Sequence, residues 1–154
     1  MNKKKIFFTL SLACFLGFTS GCKKKELAGT EELRQLFTQT ALDIRKILPV
    51  LEDNATPEKV RQAAESIEQV FKAQYATARK LIAQFPHLLD DRSKYQVALK
   101  KEMEDLRSAL GSLIQRVEYW TPRMKRDKIF NATLDRISKL STDIENQTRP
   151  VEKE

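Results

Sequence analysis

Two acidic clusters and one histidine are the residues whose types could do chemistry. Asp90-Asp91 is a carboxylate pair of the kind that divides acid and base roles in catalysis, and Glu102, Glu104 and Asp105 form a second acidic group. Both have plainer roles. Aspartates at a helix start are favoured by the helix dipole. The second group shares its face with Lys100, Lys101 and Arg107, at spacings where opposite charges pair on a helix surface. A di-metal helical protein needs Glu-x-x-His projecting inward from several helices, and His87 is the only histidine, with no Glu at that spacing. His87 with Met103 or Met124 would be a haem ligand set, but His87 follows Pro86 in an expected turn. The sequons Asn54-Ala55-Thr56 and Asn131-Ala132-Thr133 read as chance matches. There is no Gly-rich phosphate loop, no nucleophile elbow and no Ser/His/Asp set for His87 to complete. No enzymatic activity and no cofactor are therefore expected.

One stretch breaks a local rule. Tyr119-Trp120-Thr121-Pro122 leads into Arg123, Lys125, Arg126 and Lys128, which puts four cations in the first turns of an expected helix starting at 122, against its dipole. Either the turn is solvated and Trp120 completes a core stripe, or Tyr119, Trp120, Arg123, Lys125, Arg126 and Lys128 form a contact surface for an acidic partner.

The elements that must position these residues begin after a distinct leader. Lys3, Lys4 and Lys5 precede an uncharged run from 6 to 18, which is too short to span a bilayer, and small residues follow; this is the pattern of a secretory signal peptide. Thr19-Ser20-Gly21-Cys22 resembles the lipobox of bacterial lipoproteins, with Thr19 where Leu is commonest. The resemblance implies cleavage after residue 21, acylation of Cys22 and no thiol in the mature chain, since Cys14 leaves with the leader. More than one fatty chain gives stable membrane attachment. Lys23 stands where Asp often favours retention in the inner membrane, so the resemblance points to the outer membrane.

Residues 22 to 29 are then a lipidated Cys and polar tether, 30 to 147 a helical domain and 148 to 154 a polar tail. Apolar residues step by threes and fours in four segments: Leu33, Phe37, Thr40, Ile44, Ile47, Leu51; Val60, Ala64, Ile67, Phe71, Gln74, Ala78, Leu81, Phe85; Leu99, Met103, Leu106, Leu110, Leu113, Val117, Trp120; and Phe130, Thr133, Ile137, Leu140, Ile144. Such stripes describe helices buried on one face. With Thr30, Thr56-Pro57, Asp90 or Asp91 and Thr121-Pro122 as start signals, and Pro49 and Pro86 as interruptions, helices are expected near 30–52, 57–85, 90–120 and 122–147. Short connections favour antiparallel neighbours, hence an all-α, up-down-up-down four-helix bundle. The second choice is a long three-helix bundle with the fourth helix packed elsewhere or swapped. In the first arrangement the tether and the Pro86-His87 turn share one end, and the 49–57 connection and the 119–128 turn share the other.

The formal charge of +7 shrinks on this division. Six of the 28 basic residues are Lys3, Lys4, Lys5, Lys23, Lys24 and Lys25, so residues 26 to 154 carry 22 basic against 21 acidic side chains. That argues against a nucleic-acid binder, which needs a basic domain. The expected function is a membrane-anchored, non-enzymatic module that binds another envelope protein. The alternatives are a periplasmic carrier of lipid or another small hydrophobic ligand, and a surface-exposed binder of host macromolecules.

Overall fold

The structure, a computed structural model, describes residues 29–88 and 92–148. The leader, Cys22, the tether up to residue 28, Asp90-Asp91 and residues 149–154 lie outside the described residues, as does the side chain of Ile144. All regular structure among the described residues is helical: α1 (Thr30–Ile47), α2 (Pro57–Gln84), α3 (Arg92–Ala98), α4 (Lys100–Trp120) and α5 (Lys128–Thr148), with short 3₁₀ turns at Leu48–Leu51 and Pro86–Leu88.

Each boundary has a local cause. α1 opens on Gly29 rather than on a Thr30 cap. Gly29 takes the left-handed conformation (φ 84°, ψ 0°) that glycine adopts without steric cost, and Thr30 is buried as the first helical residue. Glu31 and Glu32 in the first turn and Arg45 and Lys46 in the last suit the dipole. Pro49 lacks the N–H needed to continue the ladder, and α1 gives way to the 3₁₀ turn at Leu48. Thr56 caps α2 as its sequence suggests, accepting from the Lys59 N–H at 3.4 Å, with Pro57 in the first turn. α2 closes at Gln84, one residue short of the Phe85-Pro86 step.

The expected helix from 90 to 120 bends at Leu99 (φ −115°, ψ 18°). Its hydrogen bonds run on through the bend, from the Leu99 N–H to the Tyr95 carbonyl and from the Met103 N–H to the Leu99 carbonyl, each at 2.9 Å. The larger correction is the start of the last helix. It begins at Lys128, not 122, because Thr121-Pro122 closes α4 instead of opening α5. The Thr121 hydroxyl donates back to the Val117 carbonyl at 2.7 Å, and Pro122 has no N–H to offer the carbonyl of Glu118. Asp127 is the true cap, accepting from the Phe130 N–H at 2.9 Å.

The apolar stripes meet in one core that includes Phe37, Ile44, Val60, Ile67, Leu106, Leu113, Phe130 and Ile137. Burying such side chains contributes about 1.5–3 kcal/mol each. Two threonines sit in these stripes without harm, since Thr40 and Thr133 donate to the Leu36 and Ile129 carbonyls at 2.6 and 3.0 Å. The closest helix approaches are α1 with α4, α2 with α5 and α1 with α2. Arg34 near the start of α1 reaches Glu102 near the start of α4 (3.3 Å). Asp53 beyond the end of α1 reaches Arg116 near the end of α4 (2.9 Å). These two helices therefore run parallel. So do α2 and α5, where Arg61 faces Asp127 (3.7 Å) and Glu68 meets Arg136. Two of the three close approaches thus join parallel rather than consecutive helices. Gly29, Phe85 and Leu88 mark one end of the domain, and Leu51, Trp120 and the 121–127 turn mark the other.

A candidate interaction surface between α4 and α5

The turn from Thr121 to Asp127 is built from α4 outward. Trp120 completes the α4 stripe and is buried, 6% exposed, with its Nε1–H donated to the Leu51 carbonyl at 3.2 Å. It therefore joins the core, as the plainer reading of the sequence expects. Tyr119 is half-buried, edge-on to Trp120 with centroids 5.5 Å apart. The Arg123 guanidinium lies 3.6 Å above the Tyr119 ring and donates to the Tyr119 carbonyl at 2.7 Å. A cation at the C-terminal carbonyls of a helix is favoured by its dipole. The apparent conflict in the sequence disappears, because Arg123, Lys125 and Arg126 follow α4 and only Lys128 stands on α5.

Asn131 locks the turn from the other side. Its side-chain amide donates to the carbonyls of Met124, Lys125 and Asp127 at 3.4, 3.1 and 2.7 Å. Met124 is buried beneath. Lys125, Arg126 and Lys128 are exposed, and no ion pair holds them among the described residues. Ile129, the next residue, is 53% exposed. Of the six residues whose sequence suggests partner contact, Lys125, Arg126 and Lys128 are thus presented outward. Arg123 and Tyr119 brace the turn, and Trp120 is withdrawn.

The other candidates have structural partners. Glu104 lies 3.9 Å from Lys100 and Glu102 3.3 Å from Arg34. Arg45 binds Asp105 through both guanidinium nitrogens, a hydrogen-bonded contact that holds this carboxyl below the usual aspartate range. His87 is half-buried between Phe85 and Tyr95, with ring centroids 6.1 and 6.4 Å away. Met103 and Met124 belong to the core. Among the described residues no three His, Cys, Asp or Glu side chains gather as metal ligands.

Among the described residues, a strongly perturbed group falls outside the candidates named from the sequence. Glu68, 5% exposed in its side chain, receives Arg136 bidentately at 2.9 and 2.8 Å and lies 2.7 Å from the Lys72 ammonium. Arg136 also donates to the Thr133 hydroxyl at 3.0 Å. Hydrogen bonds from Arg136 and Lys72 outweigh the burial and hold the Glu68 carboxyl at about 2, against an ordinary 4.5. The signal is available in the spacing: Glu68 is four residues after Ala64 and three before Phe71, on the buried stripe.

An open groove of about 720 Å³ runs between α1 and α2. Leu36 and Leu81 line it together with Glu31, Gln35, Gln74 and Thr77. Among the described residues no helix is long and apolar enough to cross a membrane. Comparison with protein families, with curated proteins and with solved structures finds no match for this chain.

Proposed function

We propose that the chain is a bacterial lipoprotein of the outer membrane, held by acyl chains on Cys22, whose up-down-up-down helical bundle acts without catalysis as an interaction module of the cell envelope. The single observation that carries the interaction reading is the exposed set Lys125, Arg126 and Lys128 on a braced turn and the helix start after it, with no ion pair among the described residues. Gly29, where the tether joins the domain, is packed against Phe85 at the opposite end. α2 alone, with 28 residues, extends about 42 Å. An anchor at one end would leave the basic turn facing away from its own bilayer, toward another, acidic component of the envelope.

Two experiments test the two halves of this proposal. Replacing Cys22→Ala should abolish fatty-acid labelling and release the protein from membranes; retained labelling removes the anchor. A photo-crosslinking residue at position 125 should capture an envelope component in living cells that the same residue at position 97, on α3, does not. Identical products from both positions remove the basic turn as the contact surface.

A further inference from the structure

Resting on the proposed lipid anchor, we infer that the turn between α4 and α5 docks onto an anionic lipid surface facing the anchoring bilayer, so that the domain bridges two surfaces. Several cations around this end are engaged. Arg116 is taken by Asp53 (2.9 Å), Arg61 faces Asp127 (3.7 Å) and Arg123 is stacked on Tyr119. Lys125, Arg126 and Lys128 are left to solvent within four consecutive residues, with Ile129 immediately after them. Cations beside an exposed aliphatic side chain are the composition of an interfacial membrane contact: the charges meet headgroups and the apolar group enters the acyl boundary. Val50, 37% exposed in the 3₁₀ turn, adds a second aliphatic side chain at the same end, since Leu51 beside it accepts from Trp120.

A protein partner fits this surface less well. A stable protein interface buries roughly 800 Å² per side around an aromatic or aliphatic anchor seated in a pocket. Here the aromatic residues are withdrawn, Trp120 into the core and Tyr119 under a guanidinium. The groove between α1 and α2 includes Glu31 and Leu81, toward the other end of the domain. A lipid surface needs no pocket, and the Asn131 amide and the Asp127 cap hold the three cations outward without an ordering step on contact. With the domain upright on its anchor, the length of α2 would separate the turn from the anchoring bilayer.

Vesicle bridging tests this directly. Lipidated protein, purified from membranes, is reconstituted into sucrose-loaded phosphatidylcholine vesicles. Fluorescent acceptor vesicles contain either phosphatidylcholine alone or about 30% phosphatidylglycerol, and sedimentation of the donors reads acceptor capture. Wild type should pull down the anionic acceptors and leave the neutral ones. Capture should collapse between about 0.1 and 1 M salt, where the screening length shrinks from about 10 to 3 Å. The triple variant Lys125→Glu, Arg126→Glu, Lys128→Glu should lose about a hundredfold, each cation being worth roughly fivefold near an anionic surface. Ile129→Asp should lose a smaller share with helicity unchanged. Equal capture of neutral acceptors, undiminished capture by the triple variant, or binding of polyglutamate while anionic acceptors are ignored would each overturn the inference. Protein that fails to sediment with the donors removes the anchor and the bridge together. Protein that sediments with them but captures nothing removes the bridge alone.

Discussion

The two ends of the helical domain contrast in what their side chains are used for. At the end carrying Gly29, aromatic rings close on the backbone: Phe85 packs against Gly29, and His87 sits between Phe85 and Tyr95. At the other end a tryptophan does the closing from inside, and the turn beyond it, with the start of α5, leaves three cations and an isoleucine in solvent. This second end finishes its packing at Trp120 and Met124 and has side chains to spare. Residues that fold the domain and residues available for recognition are therefore separable at the second end.

The frame between the ends should show the largest effect of substitution. Glu68 joins α2 to α5, and Glu68→Ala strands the Arg136 guanidinium. Because Arg136 is half-exposed and keeps access to water, the expected loss is about 2–3 kcal/mol, below that of a wholly buried pair, read by chemical denaturation. The pH dependence follows from the same group. Its folded carboxyl, near 2, lies below the ordinary 4.5, so its contribution is complete above about pH 4.5 and is lost as pH falls from there toward 2. Glu68→Gln should flatten that limb of the stability profile; an unchanged acid limb would show that other carboxylates carry it.

Next in size is the first end. Gly29→Ala places a Cβ 2.9 Å from Phe85 Cδ2 in a left-handed backbone, and should cost about 1–2 kcal/mol. The second end should respond less to a comparable change: Trp120→Phe removes the hydrogen bond to Leu51 and some volume, about 1 kcal/mol. The smallest effect should come from the cations. Neutralising Lys125, Arg126 and Lys128 together with Gln should change stability by about 0.5 kcal/mol or less, since none has an ionic partner among the described residues. A large loss there would erase the contrast between the ends, by making the basic turn part of the fold.

The stripes were legible because burial on one face imposes a 3.6-residue rhythm on the sequence itself. Residues from Leu33 to Leu51, from Val60 to Phe71, and from Leu99 to Trp120 that keep this rhythm are buried as spacing predicts. Which helix each stripe meets is not encoded in the rhythm, and the pairing of parallel α1 with α4 and α2 with α5 emerges only in three dimensions. Thr-Pro is ambiguous for a related reason. At 56–57 the hydroxyl accepts from the following helix, and at 121–122 it donates to the preceding one. The two motifs read alike while the backbone around them does not. Glu68 was hidden because a charged residue on an apolar stripe looks like an edge position until its partner, 68 residues away, is known. The basic turn was found in the sequence, although the dipole conflict that drew attention to it belongs to a helix start that lies six residues further on.

The most direct test of the central claim is the height of each end above the anchoring bilayer. By the lipobox resemblance the mature chain carries no free thiol, so Gln84→Cys at the first end and Lys125→Cys at the second each give a unique labelling site. With the lipidated protein in vesicles containing a quenching acceptor lipid, a fluorophore at 84 should be strongly quenched. The same fluorophore at 125, about 42 Å further along the axis by the length of α2, should be nearly unaffected. Equal quenching at the two sites, or stronger quenching at 125, would contradict the orientation on which the proposed function depends.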